Sequence, residues 1–154
     1  MKPILFAEDS EDDLFLLQRA LKRAKICNPL VFVRDGREAV TYLAGDHLPP
    51  GCIVLDVKMP YRGGLEVLGW IRGQPKFAET PVLMMTSSSQ ELDIRAAYRM
   101  GADAYLVKPT GSDHLDRLIV ELKSAAGTPR GDPVWQSLSC NRPRPSLEQT
   151  QPPK

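Results

Sequence analysis

Short, continuously apolar runs alternate along the chain with stretches whose apolar residues recur every three or four positions. The runs are Pro3–Ala7, Leu30–Val33, Cys52–Leu55, Pro81–Met85 and Ala104–Val107. Each is too short for a helix, and its unbroken apolar character predicts a strand covered on both faces. After the first run, Leu14, Leu17, Leu21 and Ala24 keep helical spacing, with Ser10 placed to cap and acids in the first turn. Asp35-Gly36 ends the second run and opens a helix through Ala39, Val40 and Leu43. Further helices are predicted around Leu65–Ile71, from Gln90 to Met100, and from Ser112 to Ser124, the last with Leu115, Leu118, Ile119 and Leu122 on one face. Strand and helix thus alternate five times, joined by short connections. That order predicts an α/β fold, a doubly wound five-stranded parallel sheet flanked by five helices.

Composition narrows the class and divides the chain. Its 154 residues carry 20 basic and 19 acidic side chains, and 42% of them are hydrophobic. A net charge of +1 gives no basic footprint for nucleic acid and no patch for an anionic membrane. No apolar run approaches the roughly 18–20 residues of a membrane span. The N-terminus turns acidic too soon for a signal peptide. Cys27, Cys52 and Cys140 are scattered without metal-ligand or disulfide spacing, which with the rest predicts a cytoplasmic protein. Six of the 14 prolines fall in the last 28 residues, where apolar periodicity also fades to Val134, Trp135 and Leu138. Residues 1–126 are therefore expected to form the folded domain, and 127–154 a proline-rich tail that is largely extended or disordered. Val134 and Trp135 offer an apolar patch for a homodimer. The plainer expectation is an exposed, unpaired tail.

In a doubly wound sheet the chemistry lies at the carboxyl ends of the strands. Candidate groups stand there after the first, third, fourth and fifth runs: Glu8-Asp9, Asp56, Thr86-Ser87 and Lys108-Pro109. Acids brought together in this way repel one another unless a cation offsets them, and Mg²⁺ with oxygen ligands suits the set. The segment Glu8–Asp13 is acidic at every position but Ser10. Within it Glu8 and Asp9, at the strand end, are the candidate ligands. Glu11, Asp12 and Asp13 read as first-turn charges favoured by the helix dipole. Asp56, at the mouth of a central strand, suits a metal ligand, a base or a nucleophile toward phosphorus. Taken singly, Lys108 reads as a surface lysine before a turn proline and Thr86 as a helix cap. Together with the acids they compose a phosphoryl site, ammonium and hydroxyl stabilising the transferred oxygens.

The residues Glu8-Asp9, Val54–Pro60 with Gly63-Gly64, Met85–Ser87 and Gly101–Pro109 resemble the receiver domain of two-component response regulators. The resemblance covers about residues 3–124 and implies the flavodoxin-like receiver fold. It implies that Asp56 is the phosphoacceptor and that Asp9 and Asp56 bind Mg²⁺ with the backbone carbonyl of Lys58, Glu8 assisting through water. Thr86 and Lys108 would contact the phosphoryl group, and Tyr105 would be the aromatic switch, rotating inward as Thr86 moves. The donor would be the phosphohistidine of a sensor histidine kinase. A partner protein would read the altered face of the fourth helix, fifth strand and fifth helix. Glu8–Asp13, Tyr42-Leu43, Thr86–Ser88 and Ala97-Tyr98 are similar to the single-domain subgroup paired with phytochrome-type kinases.

Two positions depart from the usual pattern. Lys58 stands where the family often has a neutral or amide side chain, and Glu8 replaces the more usual Asp. The lysine also argues against a haloacid-dehalogenase-type phosphatase, which needs a second Asp two residues after its nucleophile. A flavin module would need a phosphate loop after the first strand. A degenerate receiver that docks without phosphorylation conflicts with intact Asp9, Asp56, Thr86 and Lys108. With no effector domain expected after residue 126, output is assigned to contacts with a separate downstream protein.

Overall fold

The computed structural model describes residues 1–86, 91–108 and 112–137. The strands are β1 (Ile4–Ala7), β2 (Leu30–Val33), β3 (Cys52–Leu55), β4 (Val82–Thr86) and β5 (Ala104–Val107). Between and after them run α1 (Glu11–Arg23), α2 (Gly36–Ala44), α3 (Gly64–Arg72), α4 (Glu91–Arg99), α5 (Ser112–Ala125) and the short α6 (Pro133–Ser137). A 3-10 turn at Pro75–Phe77 precedes β4. Gln90, the expected start of the fourth helix, lies outside the described residues.

The sheet is parallel throughout, in the order β2-β1-β3-β4-β5. The chain leaves β1 toward one edge and returns through β3 toward the other, so the switch point lies between β1 and β3. Every residue of β1 and β3 is buried, as their unbroken apolar runs required. Alternate side chains feed two cores. Leu5, Ile53, Leu55, Met84 and Tyr105 join buried residues of α2, α3 and α4, while Ile4, Phe6, Val54, Leu83 and Leu106 join those of α1 and α5.

Caps set where the first two helices begin. The Ser10 hydroxyl accepts from the Asp13 N–H at 3.3 Å, and the Asp35 carboxylate from the Glu38 N–H at 2.9 Å. Each cap sits immediately past a strand end, which points the helix N-terminus toward the carboxyl edge of the sheet.

The chain beyond Ala126 differs from the sequence expectation. Gly127, at φ +91°, turns it back under the sheet, and α6 buries Trp135 to 1% exposure in the α1/α5 core. The indole N–H donates to the Thr128 carbonyl at 3.2 Å. Arg130 donates to Asp103 at 3.0 Å and to the carbonyls of Ala78 and Gly101. Pro133 fits because the first residue of a helix needs no N–H partner. One large aromatic and one arginine therefore anchor residues 127–137, and Trp135 is not available as a dimer patch. Residues 138–154, with Leu138 and Cys140, lie outside the described residues.

Candidate phosphoryl site

The carboxyl ends of β1 and β3 place Glu8 and Asp56 side by side. Each extends a neighbouring ladder: the Glu8 N–H donates to the Val33 carbonyl at 3.0 Å, and the Asp56 N–H to that of Ala7 at 3.1 Å. Both side chains are buried while Asp9 is exposed. One carboxylate oxygen from each of Glu8, Asp9 and Asp56 lies within 4.8 Å of the others. Among the described residues this is the group of acids close enough to share a metal ion, and three hard oxygen donors suit a hard divalent cation.

Lys108 reaches into this group from the end of β5. Its ammonium donates to Glu8, to Asp13 at 2.9 Å and to Asp56 at 3.1 Å. The other oxygen of Asp56 accepts from the Lys58 backbone N–H at 3.1 Å, while the Lys58 side chain is exposed. Burial pushes the Glu8 carboxyl up to about 7, opposed by its hydrogen bond from Lys108 and reinforced by the charge of Asp56. Burial alone would lower Lys108, but its hydrogen bonds to Glu8 and Asp13 and the charges of Asp56 and Glu8 outweigh it and raise its pKa. The lysine is thus held cationic among carboxylates, ready to stabilise a further anion.

The pair Gly63-Gly64 acquires a steric reason. A Cβ on Gly64 would lie 2.1 Å from the Asp56 carbonyl oxygen, while the Gly64 N–H donates to the Val57 carbonyl at 2.9 Å. The bare backbone lets α3 start directly against the loop that carries Asp56. Gly64→Ala is expected to destabilise the fold by about 1–3 kcal/mol, the usual cost of overpacking, read by urea denaturation.

Thr86 closes β4 opposite Val107, which places its backbone at the same edge as Asp56 and Lys108. The Thr86 side chain, Ser87, Ser88 and Pro109 lie outside the described residues. Tyr105 is fully buried, with its N–H donating to the Tyr98 hydroxyl of α4 at 3.0 Å.

Asp13 was not among the site residues expected from sequence. Its charge had a complete local explanation in the first turn of α1, and the contact with Lys108 spans 95 residues. The available signal was position: Asp13 follows Ser10 by one helical turn's spacing, on the turn that faces the strand ends.

The model of the response regulator receiver domain matches residues 4–120. The response regulator Rcp1 of Synechocystis sp. is 34% identical over 128 residues, covering 80% of this chain and 87% of that protein. Its Mn(2+)-bound crystal structure superposes with a TM-score of 0.73, over 80% of this chain and 93% of that one. The phosphorylated cyanobacterial phytochrome response regulator RcpA gives 0.76 at 30% identity, over 82% and 94%. The bacteriophytochrome response regulator RtBRR gives 0.66 at 39% identity, over 78% of both chains. With the five-stranded parallel sheet and the acids gathered at its switch point, these matches establish that the chain belongs to the response regulator receiver domain family of two-component signalling.

Proposed function

We propose that this chain is a single-domain response regulator in which Asp56 accepts a phosphoryl group from a histidine kinase, with Mg²⁺, and which signals through a phosphorylation-dependent protein surface. The observation that carries the reading is the placement of Asp56: a buried carboxylate at the switch point, 3.1 Å from the Lys108 ammonium and clustered with Glu8 and Asp9. In the transfer, an Asp56 carboxylate oxygen attacks phosphorus. The P–N bond of the donor phosphohistidine breaks, and its electron pair stays on the imidazole. Glu8, Asp9, Asp56 and the Lys58 carbonyl would hold Mg²⁺, which when bound supplies positive charge against the phosphoryl oxygens. Lys108 redirects an N–H from the carboxylates to the transferred group, and Thr86, at the adjacent strand end, donates its hydroxyl. The tie between Tyr105 and Tyr98 couples β5 to α4, so displacement of the strand end is passed to the face a partner reads. The similarity to RcpA and RtBRR supports a phytochrome-type kinase as the donor. Among the described residues no helix is long and apolar enough to cross a membrane.

Incubation with acetyl phosphate and Mg²⁺, followed by intact mass, tests the reading. Wild type should gain one phosphoryl group, lost with EDTA present and absent in Asp56→Ala. A wild type that gains none, or an alanine variant that still gains it, overturns the assignment. The exposed ammonium of Lys58 lies two residues from the acceptor and adds local positive charge. Lys58→Asn is expected to shorten the aspartyl-phosphate lifetime about threefold, an effect the size of one exposed ionic contact. Mg²⁺ affinity should stay within a few-fold, because the backbone ligand is retained. A phosphate-release assay reads the lifetime.

A further inference from the structure

We infer that Asp13 is a positioning residue for phosphoryl transfer, holding the Lys108 ammonium in place beside Asp56. The inference rests on the reading of Asp56 as the phosphoacceptor. Lys108 has three N–H donors and spends them on Glu8, Asp13 and Asp56. Two of those partners, Glu8 and Asp56, belong to the acidic group suited to a divalent ion, and Asp13 does not. Asp13 is the carboxylate whose hold on Lys108 does not compete with the metal.

The surroundings make that hold matter. A cavity of about 50 Å³ lies against the lysine, with Glu8, Asp13, Leu17, Met85, Lys108 and Leu115 among its lining residues. A side chain bordering empty space lacks close packing on that side. The position of the ammonium is then set by its ionic partners. Asp13 is itself fixed: its backbone N–H donates to the Ser10 cap at 3.3 Å, at the start of a helix packed on the sheet. Its side chain is 43% exposed, so replacing it removes the contact without opening the core. Removing Asp13 leaves Lys108 tethered only to groups that the metal also claims, and it spends less time where the incoming phosphoryl oxygens need it.

The experiment compares wild type, Asp13→Asn, Asp13→Glu, Lys108→Ala and the Asp13→Asn/Lys108→Ala double variant as full chains. It measures phosphorylation rate with acetyl phosphate at saturating Mg²⁺, with Mg²⁺ affinity measured by calorimetry. Asp13→Asn should slow adduct formation about tenfold, the scale of one charge-assisted hydrogen bond, with Mg²⁺ affinity within twofold. Asp13→Glu should restore most of the rate. In the Lys108→Ala background, Asp13→Asn should add nothing, because the two residues act as one. Equal or faster phosphorylation of Asp13→Asn overturns the inference and leaves the phosphoacceptor assignment standing. So does an effect that persists without Lys108, or one accounted for by weakened Mg²⁺ binding. A wild type that forms no adduct overturns the underlying reading instead.

Discussion

Trp135→Ala is expected to lower the stability of the full chain by about 3–5 kcal/mol, the range for truncating a buried aromatic. The indole is 1% exposed and shares a core with Ile4, Cys52, Ala104 and Ala125, residues from three strands and from the end of α5. Alanine removes most of that contact area and also orphans the Thr128 carbonyl, which accepts from the indole at 3.2 Å. The cavity would open beneath the sheet rather than at the carboxyl edge that carries Asp56, so acetyl-phosphate labelling of the folded fraction should be unchanged. Detachment of the whole segment offers no easy relief, because Arg130 ties the same stretch to Asp103 and to two carbonyls. Urea denaturation followed by far-UV circular dichroism measures the loss. A change below 1 kcal/mol would show that burial of Trp135 does not anchor the segment to the fold.

That segment marks where the sequence stopped being informative. Strand positions were legible because unbroken apolar runs have one physical reading in a two-sided sheet, and β2, β3 and β5 begin and end where those runs do. Asp56 and Lys108 were legible for a related reason, since a polar residue directly after a buried run must emerge at the strand end. Trp135 had neither signal. A lone aromatic among prolines shows no periodicity, and its partners come from distant strands. Asp13 failed differently, its charge already accounted for by the helix it starts. Arg72, Asp103 and Arg130 each look like ordinary surface charges in one dimension. Only the folded chain brings them together, across 31 and 27 residues.

Asp103→Ala is the other substitution expected to cost about 3–5 kcal/mol, the penalty for leaving a buried ionic partner uncompensated. One carboxylate oxygen accepts from Arg72 and from the Val82 N–H, both at 2.9 Å, and the other accepts from Arg130 at 3.0 Å. The Asp103 N–H returns a bond to the Val82 carbonyl at 2.9 Å, so this residue closes the start of β4 onto the start of β5. The arginines are not equivalent. The Arg72 side chain is 13% exposed against 31% for Arg130, and burial, followed by the charge of Arg130, already pushes Arg72 down to about 10. Asp103 is the charge that opposes both effects, and without it two guanidinium groups face each other over an unpaired backbone N–H. Arg130→Ala, by contrast, removes the more exposed partner and leaves the Arg72–Asp103 pair intact, for an expected loss of about 1 kcal/mol. In the Arg130→Ala background, Asp103→Ala should cost less than in wild type, because the arginine-to-arginine repulsion is gone. Urea midpoints of the two single variants and the double variant, taken at neutral pH, measure this. A loss in Asp103→Ala no larger than in Arg130→Ala would mean that the carboxylate does not organise the underside of the sheet.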